Sequence, residues 1–494
     1  MSTVAMPLMV ALPMLFTVLI LIIGKFWRYI GPILGVACTA ATFYLSLQLI
    51  TTPDSVYHMG GWIPPIGIVM VLDGLSKLML LVVNLLAFLV MIYSISYMNR
   101  YTAQTKFYAL FLLMLTGMNG VVLSGDLFNL FVFTEIASLA SYALVGFGVE
   151  SEELEAGFKY LILGSLASTA ILFGVAIIYN LTGTVNMADA ANMINAIKPN
   201  TALVFAIGMF IFGFALKSGL VPFHAWLPDA HPSAPAPVSA MLSGVLIKAL
   251  GVYPIIRVAF SVFNGEKVIL DIILWFGLIS AFVGGMLSIG QDDIKRLLAF
   301  SSISQVGYIA MGIGIGTPAG IAAALFHLFN HAVFKGLLFL DSGAIEMRTG
   351  TRDMRQMGGL MKRMPVTSLS TVVGSLSISG FPPFNGFFSK LLIIIALFQA
   401  KAYLFAGVAI FVSFITIAYY VKVQKQILFG PLPKVYSNIK EVPISMTIPL
   451  ITLSVICLVA GIFYGFLNNA LFYPATQAVL NQAKYISMVL GIGG

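Results

Sequence analysis

Along this chain apolar residues come in long blocks, separated by short clusters of charge, glycine and proline. A helix needs about 20 apolar residues to cross the hydrocarbon core of a bilayer. Fourteen blocks approach or exceed that length, over residues 4–24, 30–51, 70–96, 107–124, 127–148, 156–180, 202–227, 235–262, 268–289, 296–315, 318–345, 366–398, 402–429 and 444–470, with an undefined tail after them. They predict an all-α polytopic membrane protein. The first block has no basic stretch before it, while Lys25 and Arg28 follow it. That is the reverse of a cleavable secretory signal, so the first helix is expected to be retained.

Composition agrees with lipid as the solvent. Of 494 residues, 60% are hydrophobic and only 9% are charged, against roughly 25% charged in a soluble domain. Fourteen spans take up roughly 280 to 350 residues, which excludes a sizeable extramembrane catalytic domain. The net charge of +8 suggests nucleic acid in a soluble protein, but here its distribution gives another cause. Cytoplasmic loops of membrane proteins collect Lys and Arg. With the loop after the first helix taken as cytoplasmic, fifteen basic residues fall on that side, from Lys25 and Arg28 through Arg348, Arg352, Arg355, Lys362 and Arg363 to Lys440. The other side receives five: Lys198, Arg257, Lys267, Lys401 and Lys484. Nucleic acid is therefore not an expected partner; the bilayer is. Cys38 and Cys457 lie in apolar runs without metal or redox spacing and read as packing residues.

Gly219-x-x-Pro222-Phe223 recurs as Gly380-x-x-Pro383-Phe384, in the seventh and twelfth predicted helices. An offset of five helices makes two copies run in opposite directions, and inverted repeats with Pro-broken helices are the layout of ion-coupled transporters. The predicted organisation is helices 1–3 over residues 1–106, two inverted five-helix repeats over 107–262 and 263–430, and the last helix with its tail over 431–494. Pro232, Pro235 and Pro237 add a third break at the start of the eighth helix.

Six lysines fall inside helices instead of loops: Lys77, Lys159, Lys217, Lys248, Lys335 and Lys390. Glu135 lies about mid-membrane in GDLFNLFVFTEIASLASYALV. A charge at the bilayer centre costs at least ~2.5 to 3.5 kcal/mol, so it pairs or lines a wet path; a static ion pair and a proton switch with Lys217 both remain open. Lys217 and Lys248 sit too deep for snorkelling alone. His327, His331 and Lys335 recur every four residues along one helix face, which suits a hydrated proton relay or ordinary interhelical hydrogen bonds. A zinc-protease reading fails because Leu328 stands where Glu is required. Lys390 follows the second break. Lys159 follows Glu150, Glu152, Glu153 and Glu155 and is either interfacial or part of the path. Asp73 and Lys77 are expected to pair across one helical turn. Asp229 and His231 are expected to cap and turn the chain between helices seven and eight.

No Walker A loop, dinucleotide fingerprint, haem-attachment motif or Fe–S cysteine set is present, so no cofactor and no metal are assigned. The combination of GDLFNLFVFTEIASLASYALV, ALKSGLVPFHAWLPDAHPSAPAPVSAMLSG, QDDIKRLLAFSSISQVGYI, HAVFKGLLFL and SISGFPPFNGFFSK resembles the antiporter-type subunits shared by Mrp cation/proton antiporters, complex I and membrane-bound group 4 hydrogenases, over about residues 70 to 430. Within that group the chain is most similar to the Mrp D subunit and its hydrogenase counterpart.

The resemblance implies a central polar axis through Glu135, Lys217, Lys248 and Lys390, with His327, His331 and Lys335 between the half-channels. It also implies that the chain works beside other membrane subunits in a prokaryotic plasma membrane. The expected function is proton translocation, coupled to Na+ in an Mrp-type complex or to electron transfer in a redox-driven one. The chain ends soon after its fourteenth helix, unlike the distal complex I subunit with its long lateral helix. Two other readings stand beside these: a standalone solute carrier with a pocket at the broken helices, and a membrane metalloenzyme using His224, His231, His327 and His331.

Overall fold

The computed structural model describes residues 2–27, 29–197 and 200–491. Arg28 and Lys198, two of the charges used to orient the chain, lie outside the described residues. Among the described residues thirteen helices are long and apolar enough to span a bilayer. A further span, span 12 in chain order, is a pair of half-helices, Pro365–Ser379 and Asn385–Gln399, which brings the total to fourteen. Spans 8 (Ala236–Val262) and 11 (Pro318–Thr349) are buried along their whole apolar windows, while spans 1 (Ala5–Ile23) and 2 (Ile30–Ile50) are buried over a third. Spans 8 and 11 therefore form the centre of the bundle.

A second repeat shows the inversion more clearly than the proline breaks do. Spans 6 (Ser151–Thr182) and 11 each end in Thr-Gly-Thr-x-x-Met, at Thr182 and Thr349, with Gly183 and Gly350 left-handed. In both copies the first Thr hydroxyl donates to the carbonyl of the second, at 3.1 and 3.2 Å. Spans 5 (Leu127–Val145) and 10 (Ile294–Gly314) each start on an aspartate cap, Asp126 and Asp293. Asp126 bridges to Asn186, and Asp293 to Asp353. Every one of these pairs is 167 residues apart, five spans along the chain, so the two bridges lie on opposite faces of the membrane. The repeats are inverted.

Helix breaks divide spans 7 and 12. Span 7 ends its first half at Ser218, where Gly219 adopts φ 69°, and resumes as Leu227–Ser233. A Cβ on Gly219 would come within 2.6 Å of Leu227, so the turn needs glycine twice over. The break expected at Gly219-x-x-Pro222 is thus present, and it divides the run 202–227 into two pieces. Gly380, φ 85°, ends the first half of span 12 in the same way.

The face bearing the loop Arg348 to Arg363 is called the basic face here. On the other side, β1 (Ser55–His58) pairs antiparallel with β2 (Val69–Leu72), Ser55 opposite Leu72. Three short helices join it: Met187–Ala196, Tyr473–Leu480 and Gln482–Leu490. The hairpin and Met187–Ala196 were not expected from hydropathy, and the tail is helical instead of undefined. Lys484 binds Asp54 at 2.8 Å, as does Lys77. Burial opposes ionisation of Asp54, but the two ammonium groups outweigh it and hold the carboxyl below its usual range.

Two sequence expectations fail here. Lys77 does not pair with Asp73: Arg257 takes Asp73 in a two-pronged contact, both bonds 2.6 Å. The planar guanidinium fork matches a carboxylate better than one ammonium does. Arg257 is consequently not a loop residue but a buried member of span 8, 1% exposed.

Candidate proton-translocation site

The predicted residues assemble into one row through the middle of the bundle, with the exception of Lys159. Its first part lies between spans 5, 6 and 7. Glu135, Ser138 and Tyr142 share a face of span 5 because three- and four-residue steps return to one side of a helix. Lys217, in the last turn before the Gly219 break, reaches into that face. Its Nζ donates to Ser138 Oγ at 2.8 Å and Tyr142 Oη at 3.2 Å, and stands 3.7 Å from Glu135 Oε1. The C-terminal end of a helix carries partial negative charge, which favours the ammonium there. Ser168 of span 6 donates to the same Glu135 oxygen. Lys217 is sealed, 2% exposed, whereas Glu135 is 28% exposed and reaches the outside of the chain.

The middle part belongs to span 8, whose segments Leu242–Leu246 and Lys248–Val252 are wound as π-helix. Widened turns of this kind collect at functional sites. Here the widening lets Lys248 donate to the Ser243 carbonyl five residues back. Ser243 Oγ meets Ser302 Oγ of span 10 at 2.7 Å. Lys335 donates to Leu298 O at 2.8 Å. His331 is wholly buried, and neither ring nitrogen has a hydrogen-bond partner among the described residues. Buried polar groups without a protein partner are satisfied by internal water.

The last part lies at the second break. His327 Nδ1 is 2.9 Å from Ser389 Oγ, and Nε2 is 3.2 Å from Gln305 Oε1. With Gln305 oriented so, Nε2 carries the proton and Nδ1 accepts. Lys390 Nζ lies 5.1 Å from the centre of the Tyr308 ring, with no hydrogen-bond partner among the described residues.

Lys159 is elsewhere. It is half-exposed at the basic face, binding Glu155 at 2.7 Å and Asp229 at 3.2 Å, next to Arg296. Asp229 thus latches spans 6, 7 and 10 together instead of capping a turn. His231 is also not a turn residue: it is fully buried against Trp226 and Phe339. Lys335 lies over the same Phe339 ring, at 6.0 Å.

Sequence reasoning missed several members of the row. Ser138, Tyr142, Ser168, Gln305 and Ser389 carry no charge and stand out only through their spacing. Lys295, buried, and Glu346, partly buried, pair at 2.8 Å and were hidden among the loop charges. No three His, Cys, Asp or Glu side chains among the described residues converge as a metal ligand set. Outside the spans, burial pushes the Asp126 carboxyl up to about 6, against the backbone N–H groups of Asn129 and Phe128.

The family described as "NADH:quinone oxidoreductase/Mrp antiporter, TM" matches residues 124–416, and a companion complex I chain 5 N-terminal family matches 62–108. The chain belongs to this NADH:quinone oxidoreductase/Mrp antiporter family. It is 33% identical to the D subunit of the Na(+)/H(+) antiporter of Alkalihalophilus pseudofirmus, with 94% of each chain covered. It is 34% identical to the N subunit of the NADH-quinone oxidoreductase of Desulforudis audaxviator, covering 82% of this chain and 84% of that one. A solved chain of the membrane-bound sulfane sulfur reductase, an archaeal respiratory complex, superposes with a TM-score of 0.92 at 32% identity, over 99% and 100% of the two chains. The chain is an integral, multi-pass membrane protein of the antiporter family, and its relatives are subunits of larger membrane assemblies.

Proposed function

We propose that this antiporter-family chain moves protons in a multisubunit Na+/H+ antiporter of a prokaryotic plasma membrane, with its basic face in the cytoplasm. The observation that supports this reading is the series of ionisable side chains inside the bundle, Glu135 with Lys217, then Lys248, Lys335, His331 and His327, and Lys390. Each repeat, 107–262 and 263–430, contributes one half. Glu135 holds Lys217 cationic; its withdrawal releases that proton toward Lys248, and the imidazoles carry it to Lys390. Imidazole suits the middle because it can accept on one nitrogen and donate from the other. Lys159 is assigned to the rim. The outward-reaching Glu135 is where a neighbouring subunit would sense or perturb the switch.

A redox-driven complex is the second reading, favoured by the likeness to the sulfane sulfur reductase chain. Everted membrane vesicles separate the two. A sodium gradient without any electron donor should drive proton movement, and Lys217→Ala should abolish it. Proton movement that requires an electron donor and ignores sodium would refute antiport.

A further inference from the structure

Span 11 carries one more ionisable side chain that the row does not use. Asp341 is fully buried, two turns from the end of the span. Its Oδ1 lies 2.5 Å from Ser370 Oγ, and its Oδ2 has no hydrogen-bond partner among the described residues. Among them no Lys, Arg or His nitrogen lies within 4.0 Å. A carboxyl with no counter-ion in an apolar medium takes up a proton rather than remaining charged.

The inverted repeat shows that this cluster is not required by packing. Counting back 167 residues along span 11 and 161 along the broken helices places Asp341 on Gly174, Thr371 on Phe210 and Ser375 on Phe214. In that half, a Cβ on Gly174 would come within 3.2 Å of the Phe210 ring, and Phe210 stacks on Phe214. One junction is therefore dry aromatic packing in the first repeat, and a carboxyl among hydroxyls in the second.

The cluster continues in both directions along the first half of span 12. Toward the basic face, Glu441 accepts from Thr367 Oγ1 at 2.6 Å and from the backbone N–H of Val366 at 2.8 Å. Ser370 and Thr371 each lie 2.8 Å from the Thr367 carbonyl. Toward mid-membrane, Ser375 Oγ is buried without a hydrogen-bond partner among the described residues. Ser377 donates to Asn385 Oδ1. Ser389 lies 3.3 Å from the Asn385 carbonyl and 2.9 Å from His327. From Thr367 to Ser377 this is about 15 Å of helix, half the hydrocarbon thickness.

We propose that Asp341 is a proton-carrying carboxyl on a second path, from Glu441 at the basic face along the hydroxyl side of span 12 to His327. The proposal rests on reading the Lys–His row as a proton path. The Asp341 hydroxyl proton passes to the neighbouring hydroxyls and water, and the carboxylate is reprotonated from the Glu441 side, so no co-reactant is needed. The other titratable groups near it are Tyr93 of span 3 (Gly74–Arg100), whose hydroxyl donates to the Leu340 carbonyl, Cys457 of span 14 (Ile444–Ile462), and Glu346 on its own helix, held by Lys295. None supplies a compensating positive charge at the carboxyl.

The test uses the whole purified complex and vesicles of equal subunit content. Asp341→Asn, which mimics the neutral acid, should remove one protonated-carboxyl band from the infrared spectrum and slow proton uptake roughly tenfold or more. Asp341→Glu should keep much of the rate. If Asp341→Asn does not assemble, Ser375→Ala takes its place: slowed uptake supports the path and a wild-type rate refutes it. Wild-type uptake by Asp341→Asn, with an unchanged carboxyl band, overturns the proposal. So does a band that vanishes on adding sodium at constant pH, which would make Asp341 a metal-cation ligand. Glu135→Gln is assayed alongside. If it is inactive while Asp341→Asn is normal, only the second path fails; if it is fully active, the row reading fails, and the infrared band still decides the state of Asp341.

Discussion

Replacing Glu135 by Gln removes one charge and little volume, and the geometry sets what that should cost. Opposite unit charges 3.7 Å apart attract by about 4 kcal/mol at the effective dielectric of about 20 that suits protein sites. Lys217 keeps its bonds to Ser138 and Tyr142, so the side chain stays in place while its counter-charge is lost. A translocation step that alternates between paired and unpaired Lys217 then loses up to about 4 kcal/mol of driving difference, up to about a thousandfold in rate. Assembly should suffer less, because Glu135 is partly exposed and Gln can still accept from Ser168. The assay is proton uptake by everted vesicles with a pH-sensitive dye, normalised to subunit content. A rate within twofold of wild type would refute the switch and leave Glu135–Lys217 a static pair.

Lys390→Arg should be as inactive as Lys390→Ala, because guanidinium does not release its proton at accessible pH; substantial uptake by the Arg variant would show that Lys390 serves only as a fixed charge. Ser302→Asp places a carboxylate at the repeat equivalent of Glu135, in the half that holds Lys335, and should slow uptake roughly tenfold or more by pinning positive charge there; an unchanged rate would argue against charge movement through Lys335. Asp126 titrates at about 6 in the fold against 3.8 for the free group. Its contribution is present below pH 4 and is lost as pH rises through 6, by about 3 kcal/mol. Asp126→Asn, which can still cap span 5, should remove that part of the pH dependence from thermal unfolding of the complex; an identical profile would contradict the raised value. Gln356→Cys, exposed in the basic loop, should react with an impermeant thiol reagent only after cells are opened; labelling of intact cells would invert the orientation.

The spans were legible because lipid imposes a length of apolar chain that few other contexts demand. Glu135 and the buried lysines were legible for the complementary reason, since charge in such a run is rare. What the sequence hid follows from local rules losing to distant partners. A four-residue spacing suggested Asp73–Lys77, but Arg257, distant in sequence, offered two donors to the same carboxylate. The helix breaks at Gly219 and around Pro232–Pro237 were legible, but Asp229 and His231 between them read as turn residues, whereas the broken helix folds into the bundle and takes His231 with it. Asp341 escaped notice because it lies near the end of a span, where a carboxylate is ordinarily unremarkable. The Thr-Gly-Thr repeat is visible in the sequence, but its meaning depends on each copy making the same bridge on opposite faces.

The inverted repeat also explains how one chain can hold unequal halves. Glu135 and Ser302 are counterparts, as are Ser168 and Lys335. At the same two positions on the same two helices, the first half therefore places an acid beside a serine, and the second a lysine beside a serine. The whole row contains four lysines and one carboxylate. In a medium of low dielectric, carrying four ammonium charges at once against a single counter-charge costs several kcal/mol for each unpaired ion. Full occupancy is costly. On the proposed reading the cation is shared, and the carboxylate favours Lys217, 3.7 Å from Glu135. Between Lys217 and Lys390 lie a widened helical turn at Lys248 and an imidazole, His331, without a protein partner. Neither gives the charge a second place to be pinned. A static structural network would balance its charges locally; this one balances them only at one end.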